Sequence, residues 1–213
     1  MRHVLAFAAI GLFAGTALAD APAQPEATID MGAGGVATAE RYMVAAAHPA
    51  AVAAGEAVLA RGGNAIDAMI ATQLVLNLVE PQSSGIGGGS FLLYWDAAAG
   101  TLHSFDARET APMSAGPDLF LDPATGEPMG FWDAVIGGRS VGVPGTLLLL
   151  EAMHERYGSR PWAELLEPTI ELALTGFPVS PRLAGSIAAA AERGLDRFAA
   201  TQAYFFDAEG APL

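Results

Sequence analysis

The stretch GGNAIDAMIATQLVLNLVEPQSSGIGGGSFLLYWD, residues 62–96, carries the strongest structural signals of the chain. Asn64 and Asp67 have the spacing of a capping box, which predicts a helix that runs to about Val79 before a proline ends it. This helix is apolar nearly all round, which is typical of a helix buried between layers. After a glycine-rich loop, residues 91–96 have the aromatic and apolar content of a strand.

The flanking sequence predicts helices on both sides of a β-hairpin. The order of helices, then strands, then helices excludes a regular βαβ alternation and indicates a layered α+β fold. The strand predicted at 204–206 enters a turn, and the sequence ends where a returning strand should begin. A lone strand would leave a sheet edge without a partner, so we expect this sequence to be the N-terminal part of a longer protein. Helices are predicted at 49–60, 64–79, 146–157, 161–175 and 181–193, and strands at 91–96, 101–108, 135–143 and 204–206.

The composition excludes several classes of function. The 213 residues include 23 acidic and 10 basic side chains, giving a net charge of −13 that disfavours nucleic acids and anionic membrane surfaces. All ten basic residues are arginines, which excludes Schiff-base lysines and P-loop phosphate binding. Without cysteine, disulfides and thiolate chemistry are excluded, and the scattered histidines lack metal-binding spacing. We therefore predict no cofactor.

The first 19 residues predict a secretory signal. An apolar run from Val4 to Gly15 follows a basic start, and small residues precede a cleavage site after Ala19. The run is too short to span a bilayer, which argues against the alternative of a membrane anchor and against stable membrane insertion. We expect a periplasmic or secreted protein with a signal peptide at 1–19, a flexible leader at 20–39 and a globular domain at 40–213.

The glycine cluster at 85–90 (GIGGGS) is not a dinucleotide-binding loop, because its sixth residue is Ser90 and a strand rather than a helix follows. Two interpretations remain open. The cluster forms a tight turn beneath another element, which the sequence alone favours, or it forms the wall of a ligand pocket. Ser83 and Ser84 lie outside any nucleophile elbow, and we interpret them as turn residues.

Arg108 is the main candidate for a binding residue. It lies where the second strand gives way to a loop, between Asp106 and Glu109. An arginine held by neighbouring carboxylates presents a planar two-pronged donor suited to a ligand carboxylate. The alternative is an ion pair at the surface without a functional role.

The sequence resembles the large-subunit half of the γ-glutamyltransferases over residues 40–213. The resemblance depends on three motifs in order: GGNAIDA, SSGIGGG and the D-x-R-E-x-A-P segment FDARETAP at 105–112. It implies an N-terminal-nucleophile hydrolase of αββα sandwich form, made as a precursor that cleaves itself into a large and a small subunit. The small subunit is then the partner of this chain. Its N-terminal threonine, outside this chain, attacks γ-glutamyl compounds such as glutathione.

The resemblance implies that Arg108 binds the α-carboxylate of the γ-glutamyl group, and we expect the neighbouring Glu109 to support it. Two alternatives stay open. A related amidase or acylase of the same fold is the first, although the intact D-x-R-E segment argues against it. A non-catalytic exported binding protein is the second, supported only by the lack of a threonine nucleophile in this chain.

Overall fold

The computed structural model describes residues 36–213, so the predicted signal peptide and most of the predicted leader lie outside the described residues. Seven α-helices and one antiparallel hairpin are formed within them. The elements are α1 (Pro49–Ala60), α2 (Ala65–Val79), β1 (Ser90–Asp96), β2 (Thr101–Ala107), α3 (Phe131–Val135), α4 (Thr146–Tyr157), α5 (Trp162–Thr175), α6 (Pro181–Ala191) and α7 (Ala199–Phe205).

Helix α2 is the centre of the core, as its apolar sequence predicts. It packs against α1, α4 and α5. As a result, its residues Ile70 and Val75 have no solvent exposure. The predicted capping box is confirmed, since Asn64 Oδ1 accepts from the N–H of Asp67 and the Asp67 carboxylate accepts from the N–H of Asn64. No helix within residues 36–213 is long and apolar enough to cross a membrane.

The hairpin places one face on this core and leaves the other uncovered. Its register pairs Ser90 with Ala107 at one end and Asp96 with Thr101 at the turn. The inner side chains, including Leu92 and Phe105, pack on the helical core. The outer side of the hairpin carries four large apolar side chains that are 59–69% exposed. This outer apolar face consists of Phe91, Leu93, Trp95 and Leu102.

The strand predicted at 135–143 is wrong. Its first residue ends α3, residues 138–140 form a 3-10 turn, and Val143 makes an isolated bridge to Thr110. Gly137 has φ +107, a backbone conformation outside the strand region, so an extended run cannot pass through it. The Ser140 hydroxyl donates to the Val135 carbonyl at 2.6 Å and closes the turn.

The strand predicted at 204–206 is also wrong, because Ala199–Phe205 forms helix α7. Three aromatic residues are too short a run to outweigh the alanine-rich sequence before them, which favours helix. The turn that follows is confirmed: Asp207 Oδ1 accepts from the N–H groups of Glu209 and Ala211. The five predicted helices agree with the structure within two residues at each end, whereas α3 lies where no helix is predicted.

Gly145 joins three segments at the start of α4. Its N–H donates to the Gly88 carbonyl at 3.0 Å, and the N–H and hydroxyl of Thr146 donate to the same oxygen. A Cβ atom on Gly145 would lie 2.1 Å from the carbonyl oxygen of Ala107, the last residue of β2. Close backbone approach at Gly145 therefore sets the position of the loop that begins at Arg108.

We expect Gly145→Ala to destabilise the full-length protein by about 1–3 kcal/mol, because the added methyl group must displace the backbone of β2. Gly185→Ala is the matched control, since Gly185 lies inside α6 and a Cβ there meets nothing within 4 Å. That control should be neutral or stabilising by up to about 1 kcal/mol. Urea unfolding of both variants measures the difference, and equal stabilities would contradict the close approach.

Candidate functional site

A cavity of about 470 Å³ opens beside the residues that follow β2. Its volume is in the range of small-molecule binding pockets. Four separate segments of the chain form its wall. The glycine loop and the D-x-R-E segment are two of them and meet at this cavity. The cavity is lined by Gly87, Arg108, Glu109, Thr110, Ala111, Pro112, Leu119, Phe120, Arg139, Ser140, Val141 and Gly142.

Arg108 has the two-pronged arrangement that the sequence suggests. Its Nε lies 3.1 Å from Glu109 Oε2, while its two Nη groups have no hydrogen-bond partner among residues 36–213. Asp106 contributes differently from expectation, because its Oδ1 accepts from the Arg108 backbone N–H and does not bind the guanidinium group. The Arg108 side chain is 70% exposed, so the pair with Glu109 adds little to stability. Its structural effect is to orient the guanidinium group.

The glycine loop fixes the position of Glu109. A Cβ atom on Gly89 would lie 2.6 Å from Glu109 Oε2, and one on Gly142 would lie 2.8 Å from Glu109 Cβ. Glu109 is thus held between two glycines, one from the glycine cluster and one from the segment before α4. Gly88 forms a tight turn by donating to the Gly85 carbonyl, and Gly87 lines the cavity. The cluster therefore contains a tight turn and also contributes Gly87 to the cavity wall.

A partly buried ion pair anchors the start of the glycine loop. Glu80, 2% exposed, binds the guanidinium group of Arg182 from α6, and Arg182 also donates to the Ser83 hydroxyl. The Ser84 hydroxyl accepts from the Gln73 side chain and donates to the Asn77 side chain, both on α2. The interpretation of Ser83 and Ser84 as turn residues is consistent with these contacts.

Arg139 is a cavity residue that the sequence interpretation missed. Treating residues 135–143 as a strand hid it, although an arginine in the loop sequence GGRS is a visible signal. Its Nη1 donates to the Leu119 carbonyl at 2.5 Å. Within residues 36–213 no group of three or more acidic or histidine side chains is placed to hold a metal ion.

Comparison of the chain with known proteins identifies one family. The family model for gamma-glutamyltranspeptidase matches residues 51–213. The glutathione hydrolase proenzyme of Bacillus subtilis (strain 168) is 44% identical over 167 residues, which cover 78% of this chain and 28% of the relative. The chain thus spans less than a third of that relative's length.

Solved structures show the same similarity. The Helicobacter pylori gamma-glutamyltranspeptidase is 34% identical with a TM-score of 0.76, covering 84% of this chain and 50% of that chain. The cephalosporin acylase from Bacillus halodurans is 32% identical with a TM-score of 0.59, covering 80% of this chain and 32% of that one. The expected fold class, an N-terminal-nucleophile hydrolase of which only part is present, is confirmed. On this similarity of sequence and structure, the chain belongs to the gamma-glutamyltranspeptidase family.

Proposed function

We propose that the full-length protein transfers or hydrolyses the γ-glutamyl group of small compounds such as glutathione. The proposal depends on the arrangement of Arg108, which lines the cavity. Its Nε pairs with Glu109, and its Nη groups have no partner among the described residues. Two parallel N–H donors match the two oxygens of an α-carboxylate. Arg108 then binds the substrate and Glu109 positions it.

The chemical step in this proposal belongs to an N-terminal threonine of a small subunit. Its α-amino group takes the hydroxyl proton, and its Oγ attacks the γ-carbonyl carbon. The amine leaves with a proton, and water or an amino acid then resolves the acyl-enzyme. The described residues bind and orient the donor for this attack. A donor held at its α-carboxylate presents the γ-carbonyl in a fixed position, which contributes to the rate.

The outer apolar face supports the proposed partner. An antiparallel hairpin with one face on its core normally carries polar residues on the other, yet Phe91, Leu93, Trp95 and Leu102 are exposed here. Large exposed apolar patches mark surfaces that another element covers. We propose that the small subunit, cut from the same precursor, covers this face.

The test compares the full-length protein with residues 20–213 alone, using γ-glutamyl-p-nitroanilide as donor. We expect the full-length protein to release p-nitroaniline and the fragment to be inactive and poorly folded. Apolar surface left in water forgoes about 25 cal/mol per Å² of stabilisation and promotes aggregation. A cooperative melt together with γ-glutamyl cleavage by the fragment would contradict the proposal for the partner.

A related acylase is the second candidate, supported by the similarity to the cephalosporin acylase structure. Butyryl-p-nitroanilide distinguishes the two, because butyryl is the γ-glutamyl group without its α-amino and α-carboxylate groups. A γ-glutamyl enzyme should strongly prefer γ-glutamyl-p-nitroanilide. A preference for the butyryl compound would favour the acylase.

A further inference from the structure

Arg139 gives the cavity a second guanidinium group. It comes from the 3-10 turn at 138–140, about thirty residues after Arg108, and both arginines line the same space. The turn holds Arg139 firmly, because Ser140 donates to the Val135 carbonyl and Arg139 Nη1 donates to the Leu119 carbonyl. Within the described residues, the Arg139 side chain is thus positioned by the backbone carbonyl of Leu119 and not by an acidic side chain.

The charges around the cavity do not balance. Arg108, Glu109 and Arg139 are its charged lining residues, and Glu109 pairs with Arg108. No carboxylate within residues 36–213 lies at ion-pair distance from Arg139, and its Nε and Nη2 have no hydrogen-bond partner there. The cavity therefore has one excess positive charge in a chain whose net charge is −13. A cation beside a low-dielectric wall attracts an anionic ligand group.

We propose that Arg139 binds a second carboxylate, carried by the leaving group of the γ-glutamyl donor. This inference rests on the proposed function. If Arg108 binds the α-carboxylate, the remaining carboxyl carbon of the glutamyl group is the scissile γ-amide and carries no charge. Any further anionic group must then lie beyond that amide, on the amine that leaves. Arg139 thus selects γ-glutamyl peptides with a carboxylate near the scissile bond over γ-glutamyl amides of uncharged amines.

Two donors differ almost only in that carboxylate: γ-glutamylglycine and γ-glutamylethylamide. In the full-length protein we expect Arg139→Ala to lower kcat/KM for γ-glutamylglycine about 3- to 20-fold, the lower end reflecting solvent screening of an exposed arginine. The value for γ-glutamylethylamide should change less than about twofold. Arg139→Lys keeps the charge and should give an intermediate result. Arg61→Ala, at an exposed helix end, is the control.

Failure of the inference about Arg139 and failure of the proposed function give different results. If Arg139→Ala changes both donors equally while cleavage continues, the role of Arg139 is wrong and the proposed function stands. If the protein cleaves neither donor, the proposed function is wrong. Thermal shifts with the same two compounds then test Arg139 without turnover. A larger shift with γ-glutamylglycine that Arg139→Ala removes supports the inference, and equal shifts overturn it.

Discussion

Arg108→Ala in the full-length protein is expected to lower kcat/KM for γ-glutamyl-p-nitroanilide about 10- to 150-fold. Glu109 pairs with Nε, and within residues 36–213 both Nη groups have no hydrogen-bond partner, so the proposed α-carboxylate could bind to them side by side. Hydrogen bonds between charged partners contribute about 1.5–3 kcal/mol, and each 1.4 kcal/mol is about tenfold in rate. Steady-state kinetics on the purified variant measures the loss.

The loss should fall mainly on KM. In the proposed binding mode the α-carboxylate lies away from the scissile amide, so its contact with Arg108 would exist in both the ground state and the transition state. We expect a smaller change in kcat unless the donor loses its alignment with the nucleophile. Arg108→Lys should recover little, because an ammonium group keeps the charge but lacks the planar pair of donors.

A donor without the α-carboxylate provides the control for this prediction. Wild type and Arg108→Ala should cleave 4-aminobutyryl-p-nitroanilide about equally, since that compound lacks the α-carboxylate that Arg108 is proposed to bind. Arg61→Ala should behave as wild type with both donors. The surface-ion-pair interpretation predicts unchanged kinetics with the γ-glutamyl donor. That outcome in a variant that still undergoes the proposed cleavage into subunits would contradict the assignment of Arg108.

The sequence predicts those elements whose signals are local. Asn64 and Asp67 define the start of α2 three residues apart, and Ser180 accepts from the N–H of Leu183 at the start of α6. Such caps act within one helical turn, so a single sequence is enough to locate them. The strand wrongly predicted at Tyr204–Phe206 had no such local signal. A run of three aromatic residues is too short to show a period, and the alanines before it favour the helix that forms.

The sequence cannot predict contacts between distant segments. The position of Arg139 in the cavity depends on the carbonyl of Leu119, twenty residues earlier, and on the turn at Gly137. Backbone carbonyls are chemically identical along the chain, so no residue type marks Leu119 as the acceptor. The surroundings of Arg108 could be predicted because its neighbours in sequence contact it: Asp106 accepts from its backbone N–H, and Glu109 forms an ion pair with its guanidinium group.

Asp67 shows a local signal and a distant contact in one side chain. Besides capping α2, its carboxylate accepts from the hydroxyl and N–H of Ser159 and from the N–H of Arg160, which precede α5. The side chain is fully buried. We expect Asp67→Ala to destabilise the full-length protein by about 3–5 kcal/mol, because several buried donors lose their acceptor at once. Urea unfolding at neutral pH measures this loss.

The pH dependence of stability tests the charge on Asp67. Burial raises the pKa of this carboxyl, but hydrogen bonds from the Ser159 side chain and from three backbone N–H groups outweigh burial and hold the pKa below its ordinary value of 3.8. The unfolded chain therefore binds the proton more readily than the folded protein does. The stabilisation by Asp67 is fully present above the unfolded-state pKa. It is lost as the pH falls through the lower pKa of the folded state.

Asp67→Asn separates this charge from the shape of the side chain. The amide cannot titrate, so the variant should be less stable than wild type at pH 7 and should lose less further stability between pH 5 and pH 3. Asp133→Asn, in the exposed first turn of α3, is the matched control and should follow the wild-type curve. Because the donors to Asp67 come from both the start of α2 and the connection before α5, weakening them loosens the central helix from its neighbour. Parallel wild-type and Asp67→Asn curves would show that the carboxylate is not the group whose protonation destabilises the fold.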